Sequence, residues 1–390
     1  MSRRPSVARK ELRERPHLII VLVTPEGQGS GGGTQQALRR LISLWTAAGH
    51  QLTLLTHPVD ERWKGLPAQI QVTHLPSPSP RAMHSFLGLV ASIRAALRAA
   101  RIIRRAAQQD PEAIVLPFLP GTAILTLLAT WGLDSRVIPC ERNDPTRQRF
   151  HTVIETARRL MYRRAWAITV NVEVARDAFA QRLKGRVPIH LVANPLPDWP
   201  ATNRLAPRED RILSVGRLVP QKRHDDVIRA FALVAAECPS WRLTIVGEGP
   251  QRAELERLIA DLSLEGRVEL SGHLADVRPL LVASRILVLA SEFEGTSNVL
   301  LEGLISSLEA IVSDAVPTLP RPFESPQSLK RFRVGDVEGL AELVRLSCQR
   351  DTRNLPANPS SSHCDVEQFN EAVLATWLSA LFSKPHRVDR

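Results

Sequence analysis

The chain is short of cysteine, of tyrosine and of long apolar runs, and each shortage removes a class of protein. Its four cysteines, Cys140, Cys238, Cys348 and Cys364, include no closely spaced pair. That argues against a disulfide framework or a zinc site and for buried thiols in a reducing compartment. No stretch approaches the ~20 apolar residues of a membrane span, and the basic opening MSRRPSVARKELRERPHLIIVLV has too short an apolar run for a secretory signal. With one tyrosine, 5% aromatic residues and no nucleic-acid-binding motif, the basic residues do not point to nucleic acid. What remains is a cytoplasmic globular chain of 390 residues, 44% hydrophobic and 23% charged. At roughly 100–200 residues per domain, that length predicts two domains with a sizeable core.

The net charge of +11 is unevenly spread: residues 1–200 hold 28 Lys+Arg against 14 Asp+Glu, and residues 201–390 hold 23 against 26. Within the basic half, Arg94, Arg98, Arg101 and Arg105 recur at steps of four, three and four, which places them on one helix face. Arg158, Arg159, Arg163 and Arg164 form a second cluster. A solvated helix face accounts for either cluster; so does an anionic membrane surface, which clustered arginines attract.

Patterning gives two alternating strand and helix series. The first runs HLIIVLVT, a glycine-rich loop EGQGSGGG, a helix TQQALRRLISLWTAAG and a strand HQLTLLT, with further strands expected at 113–119, 135–141 and 167–172. The proline-rich stretch 194–210 reads as a linker. The second series opens at RILSVGRL and ends in the helix that holds Glu302. The fold class is therefore α/β, two doubly wound Rossmann-like domains, with a ligand cleft expected between them. The boundaries we read are a disordered basic segment 1–16, a first domain 17–198, a second domain 199–370 and a C-terminal helix with tail, 371–390, returning to the first domain.

The residues suited to chemistry fall at predicted strand ends. GSGGG, including Gly32 and Gly33, lies between strand and helix, where glycines allow close backbone approach and helical N–H groups face an anion; a flexible turn is the plain alternative. The loop lacks the spacing and the later acid of a dinucleotide fingerprint. Arg217 follows a strand and Lys222 precedes a helix five residues on, a pair of cations suited to a diphosphate. IVGEGPQ, residues 245–251, is a strand–turn–helix junction. SEFEGTSNVLLE holds Glu294 and Glu302 eight apart, and Val299 stands where a capping box would need Ser or Thr, so helix capping does not require Glu302. No DxD-like acidic pair calls for a metal; HDD at 224–226 and the lone histidines read as helix-start and surface residues.

In order and spacing, GSGGGTQQALRRL, ANPLP, VGRLVPQKRHDDVIRAF, LTIVGEGPQRAEL, VELSGHLADVRPLL and ILVLASEFEGTSNVLLEGL resemble the family 4 retaining glycosyltransferases of the GT-B fold. The resemblance runs over nearly the whole chain. It implies a transferase that moves a hexose or N-acetylhexosamine, with retention, from a nucleotide-diphosphate sugar, UDP-linked, to a glycan or lipid-linked acceptor, without cofactor or metal. It implies catalytic roles for Arg217, Lys222 and Glu294. Donor contacts would come from Gly32, Gly33, Gly216, Arg217, Lys222, Glu248, Gly272, His273, Glu294, Gly295, Thr296, Asn298, Val299 and Glu302. Among these Glu294 would bind the sugar hydroxyls and Glu302 the ribose.

IPCERNDPTRQ, residues 138–148, resembles the subset that builds bacterial surface polysaccharides, and places Arg142 and Asn143 on the acceptor side. Where many members have a histidine, this chain has Arg142; donation to the acceptor or the leaving phosphate, or pairing with Glu141 or Asp144, would each suit it. The chain departs from the family after Glu302, in EGLISSLEAIVSDAVPTLPRPFE. That departure motivates an alternative function: a weak or inactive sugar-nucleotide-binding subunit of a membrane polysaccharide-assembly complex. The partners expected are thus donor, acceptor and an anionic membrane at the inner face, and no nucleic acid.

Overall fold

The structure is a computed structural model that describes residues 15–23, 33–57, 63, 65–76, 86–148, 150–196, 208–317, 328–350 and 366–382. Gly32 and the rest of the glycine-rich loop, Cys364, nearly all of segment 1–16 and much of the expected linker lie outside the described residues. The chain divides into two compact units, residues 1–195 with 370–390, and residues 196–369.

The first unit is built on a parallel sheet in the order β3-β2-β1-β4-β6-β7-β8, with β5 beside β4. Its strands are β1 Leu18–Leu22, β2 Leu52–Thr56, β3 Gln71–His74, β4 Ile114–Phe118, β5 Arg136–Val137, β6 Cys140–Glu141, β7 Ile168–Val170 and β8 Ile189–Leu191. β1, β2 and β4 are buried along their whole length, as parallel strands covered on both faces must be. Helix α1, Gly33–Ala47, buries Leu38, Leu41, Ile42 and Trp45. Helices α2 Phe86–Gln109, α3 Pro120–Ala129, α4 Thr152–Tyr162 and α5 Glu173–Leu183 send Ile103, Leu127, Tyr162 and Phe179 into one core with Ile19, Val21 and Val115.

The second unit has the parallel order β11-β10-β9-β12-β13-β14. Its strands are β9 Arg211–Val215, β10 Arg242–Val246, β11 Val268–Gly272, β12 Ile286–Leu289, β13 Glu309–Ser313 and β14 Leu329–Phe332. The helices are α6 His224–Val234, α7 Arg252–Asp261, α8 Arg278–Ala283, α9 Asn298–Ile305 and α10 Val337–Gln349. The last helix, α11 Val366–Phe382, belongs to the first unit from Asn370 onward, where Trp377 meets Trp45 edge-on with centroids 5.2 Å apart. No helix among the described residues is long and apolar enough to cross a membrane.

Three differences from the expected elements have physical causes. The strand predicted at 135–141 is two short strands, because Pro139 has no N–H for the ladder and the chain is held by Ile138 N–H to Val115 O and Thr169 N–H to Pro139 O, each 2.9 Å. β3, β8 and β14, which patterning did not single out, lie at sheet edges, where one neighbour suffices and a continuous apolar run is not needed. The arginine spacing on α2 does face outward, but Arg158 does not: it is 1% exposed and forms an ion pair with Glu141. Phe150, Tyr162 and Phe179 surround its guanidinium, so that part of the second cluster is core, not a solvated face. Cys140 and Cys238 are buried and free, and Cys348 is half-buried and free.

Candidate functional site

The second unit gathers its chemistry where β9 to β12 end. β9 leads into Gly216 and Arg217, which run across the end of β10: Gly216 N–H donates to Val246 O at 3.0 Å and Leu218 N–H to Glu248 O at 2.9 Å. The approach is so close that a Cβ on Gly247 would stand 1.8 Å from the Gly216 carbonyl oxygen, and one on Gly249 2.3 Å from that of Leu218. Glycine at both positions is thus a packing requirement that sets the path of the Arg217 loop. Arg217 itself is exposed and makes no ion pair among the described residues.

A turn of 3-10 helix, Pro220–Lys222, follows and is joined to the loop after β12 from both sides. Glu292 N–H donates to Gln221 O at 2.9 Å, and the Gln221 side-chain amide donates to Phe293 O at 2.8 Å. Arg223, in the left-handed region at φ 49°, adds bonds to Glu292 and Asp226. This clamp sets the Lys222 ammonium against Glu294 Oε1, an oxygen that also accepts from Ser291 Oγ at 2.9 Å. Ser291 is fixed in turn, since its carbonyl accepts from Ser313 Oγ at 2.6 Å. The Lys222 side chain lies along Gly216, 3.3 Å from where a Cβ would be. The expected diphosphate cation and the expected sugar-binding acid are therefore direct neighbours.

Gly295 and Thr296 lead into α9, whose N-cap Ser297 makes no side-chain capping bond. The first-turn amides, those of Asn298 and Val299 among them, are the kind that attract an anion. Glu302 lies on the next turn and is buried at 4% exposure, and its charge helps to raise the pKa of Arg278, after the larger effect of the Asp276 hydrogen bond. At the neighbouring strand end Gly247 N–H donates to Gly272 O at 2.8 Å, and Glu248 Oε1 lies 2.9 Å from where a Cβ on Gly272 would stand. Arg252 holds that carboxylate at 2.8 Å, and His273 beside it is exposed. Of the altered segment after Glu302, the described part is an orderly helix end and strand: Gly303 lets α9 close on β12, with Leu287 2.6 Å from a would-be Cβ.

The first unit carries the other expected site residues. Gly33 opens α1. Arg142, 6% exposed, donates to Val192 O at 3.2 Å and to Asn194 Oδ1 at 3.4 Å, with Phe118 and Trp377 near its guanidinium. Its Nε and Nη2 have no hydrogen-bond partner among the described residues, and burial lowers its pKa. Of the alternatives read from the sequence for Arg142, an ion pair with Glu141 or Asp144 is not formed. Glu141 is taken by Arg158 and by the Tyr162 hydroxyl, and Asp144 Oδ1 accepts from the Thr146 amide at 2.8 Å. Asn143 is half-buried next to it.

One residue read from the sequence as a surface helix start belongs to the site. His224 does begin α6, but it is 2% exposed, its Nδ1 lies 3.3 Å from Ser214 Oγ, and it meets the backbone of Gly216 and Arg217. Burial, with the Lys222 charge acting the same way, brings its pKa down to about 4. It is a neutral post beneath the Arg217 loop. Asp226 in the same triplet is buried too, held by Arg223. The sequence signal was present: His224, Val227, Ile228 and Phe231 share one helical stripe.

Comparison with known proteins bears on the family and the fold. Residues 32–195 match the profile of the glycosyl transferase 4-like domain, and residues 209–346 that of glycosyl transferases group 1. The chain is 29% identical over 182 residues to a lipopolysaccharide core biosynthesis glycosyltransferase, LpsE, of Rhizobium meliloti, covering 45% of this chain and 50% of that protein. It is 38% identical over 114 residues to an N-acetylgalactosaminyltransferase of Campylobacter jejuni that acts on a diphospho-undecaprenol-linked saccharide, covering 29% of this chain and 30% of that one. The alignments thus span half or less of these relatives. Among solved structures, Anabaena HepE in complex with UDP-glucose superposes with a TM-score of 0.72 at 16% identity, over 93% of this chain and all of that one. Two adjoining family profiles, two parallel α/β units and this fold-level match place the chain among the family 4 type glycosyltransferases of the GT-B fold.

Proposed function

We propose that the protein transfers a hexosyl or N-acetylhexosaminyl group, with retention, from a UDP-linked sugar to a hydroxyl of a glycan or lipid-linked saccharide in bacterial surface polysaccharide assembly. The observation that carries this reading is the Lys222–Glu294–Ser291 cluster, with Lys222 lying along Gly216 and Glu294 shortly before the N-terminus of α9. The UDP-glucose bound by Anabaena HepE supports the donor class, the diphospho-undecaprenol-linked saccharide of the Campylobacter enzyme supports the acceptor class, and the Rhizobium protein's part in lipopolysaccharide core biosynthesis supports the setting.

The chemistry needs charge to be stabilised on a departing diphosphate while the sugar becomes oxocarbenium-like. Arg217, Lys222 and the first amides of α9 would hold the diphosphate, Glu294 the sugar hydroxyls and Glu302 the ribose. Lys222 and Glu294 neutralise each other until the donor arrives; then each gains a partner of its own, the ammonium a phosphate oxygen and the carboxylate a hydroxyl proton. The C1–O bond to phosphate breaks, the acceptor oxygen bonds to C1 on the same face, and its proton passes to the released phosphate. Three cationic or amide donors meet the charge without a metal. Arg142, with two unsatisfied guanidinium nitrogens, and Asn143 are assigned to the acceptor side, and an anionic membrane at the inner face would present that acceptor. Incubating the protein with a panel of UDP-sugars and a polyprenyl-diphosphate-linked saccharide tests the reading. Transfer to a product of retained configuration is expected, and donor binding without transfer or hydrolysis in every combination would favour the inactive binding subunit instead.

A further inference from the structure

We propose that the outer face of α2, α3 and α4 in the first unit is a docking surface for an anionic lipid bilayer, into which apolar side chains insert between arginines. These helices lie side by side and send their inner faces into one core, so their outer faces form one surface. On it stand Ile93 and Leu97 of α2, Leu128 and Trp131 at the end of α3, and Val153 and Leu160 of α4, each between 49% and 67% exposed. Side chains this large, gathered on one face, are unusual on a surface that meets only water. Arg94, Arg98, Arg101 and Arg105 of α2 and Arg159, Arg163 and Arg164 at the end of α4 are exposed among them.

Three further observations fix the nature of the partner. Helices α2 and α3 contain no acidic residue, and the one acid of α4, Glu155, is committed to Arg158 and Arg182. Cations thus outnumber acids on this face, where exposed Asp134 follows Trp131 in the chain, and the balance favours an anionic partner. Trp131 is held in place: the Arg164 guanidinium lies 3.9 Å from its ring centroid, and Arg104 Nη1 donates to Ala129 O at 2.9 Å and to Trp131 O at 2.8 Å. An amphipathic ring with a cation over it suits the boundary between acyl chains and headgroups, where arginine stems lie along apolar matter and their heads reach phosphate. A second copy meeting this face about a two-fold axis would set arginine against arginine. A nucleic acid would leave the aliphatic side chains without a partner. An anionic bilayer meets both halves of the surface, charge and apolar area.

The proposal deepens the partner assigned above, and its test uses neither donor nor acceptor, so it fails separately from the sugar-transfer reading. The full chain is sedimented with vesicles of phosphatidylglycerol and phosphatidylcholine and with pure phosphatidylcholine vesicles. Binding about tenfold stronger to the anionic vesicles is expected. The variant carrying Leu97→Ser, Trp131→Ser and Val153→Ser, and separately the variant with Arg94, Arg98, Arg101 and Arg105 each changed to Glu, are expected to lose it. The variant carrying Leu233→Ser and Leu346→Ser, which changes exposed apolar residues of the second unit, is expected to keep it. Brominated acyl chains give a reading that does not depend on the triple variant's folding: they should quench a part of the wild-type tryptophan emission that Trp131→Phe lacks. Equal binding by wild type and both face variants, no quenching at Trp131, a solution dimer dispersed by the triple variant, or retention on RNA but not on vesicles would each overturn the proposal.

Discussion

The two units share one topological plan and use it differently. In the second unit, charge is paired and concentrated at the strand ends: Lys222 with Glu294, Arg223 with Asp226 and Glu292, Arg252 with Glu248. In the first unit Arg142, near two aromatic rings, and Arg158, among three, are buried, while Arg94, Arg98, Arg101 and Arg105, with no ion pair among the described residues, lie on an outer helical face. The charge division between residues 1–200 and 201–390 reports that difference. On the function proposed above, one unit would hold a small anion at a fixed place and the other would meet a broad surface.

The largest effect expected from breaking this comparison is in the first unit. Arg158→Ala leaves Glu141 buried without its cation and should cost about 3–5 kcal/mol, read as a lowered urea midpoint. Arg158→Met, which keeps apolar bulk, should unfold at lower urea than wild type as well, because Glu141 is still stranded. In the second unit, Lys222→Ala removes one stabilising cation and should lower kcat by about 100- to 1000-fold with the fold intact by circular dichroism.

A third prediction concerns His224. Burial brings its folded pKa to about 4, below the ordinary histidine value of 6.5, so the unfolded chain binds the extra proton first as pH falls. The stability from burying the neutral ring is complete above about pH 6.5 and is lost progressively down to about pH 4, by about 2–3 kcal/mol. His224→Gln should flatten that part of the stability profile and, by loosening the Arg217 loop, raise the KM for the donor. The smallest effect is expected from EDTA, which should leave the transfer rate unchanged if the cations and amides alone carry the diphosphate charge.

How much of this was legible in the sequence differs between the units for physical reasons. The second unit was readable because its strands are apolar and adjacent to their loops in the chain, and because Gly247 and Gly249 mark a backbone crossing that tolerates no Cβ. The family resemblance, carried by the order and spacing of its motifs, then pointed to Arg217, Lys222, Glu294 and Glu302 as candidate site residues. His224 was missed because a histidine at a helix start reads as a cap, although its phase with Val227 and Phe231 marks the buried stripe. Arg158 was misplaced for the converse reason: spacing assigned it to an arginine face, and its true partners, Glu141 and Phe179, are 17 and 21 residues away in the chain. Edge strands such as β3 and β8 escaped because a strand with one neighbour carries little apolar signal. Trp131 and Leu128 could join the arginines only once helices distant in sequence were seen side by side.

The central claim is that Glu294, held by Lys222 and Ser291, grips the transferred sugar. Comparing wild type with Glu294→Gln for UDP-sugar binding by calorimetry and for transfer to a polyprenyl-diphosphate-linked saccharide tests it directly. The account predicts that wild type transfers the sugar with retention and that Glu294→Gln still binds UDP but has lost most sugar transfer. Equal transfer by the two proteins, or wild type that binds donor and never turns it over, would contradict it.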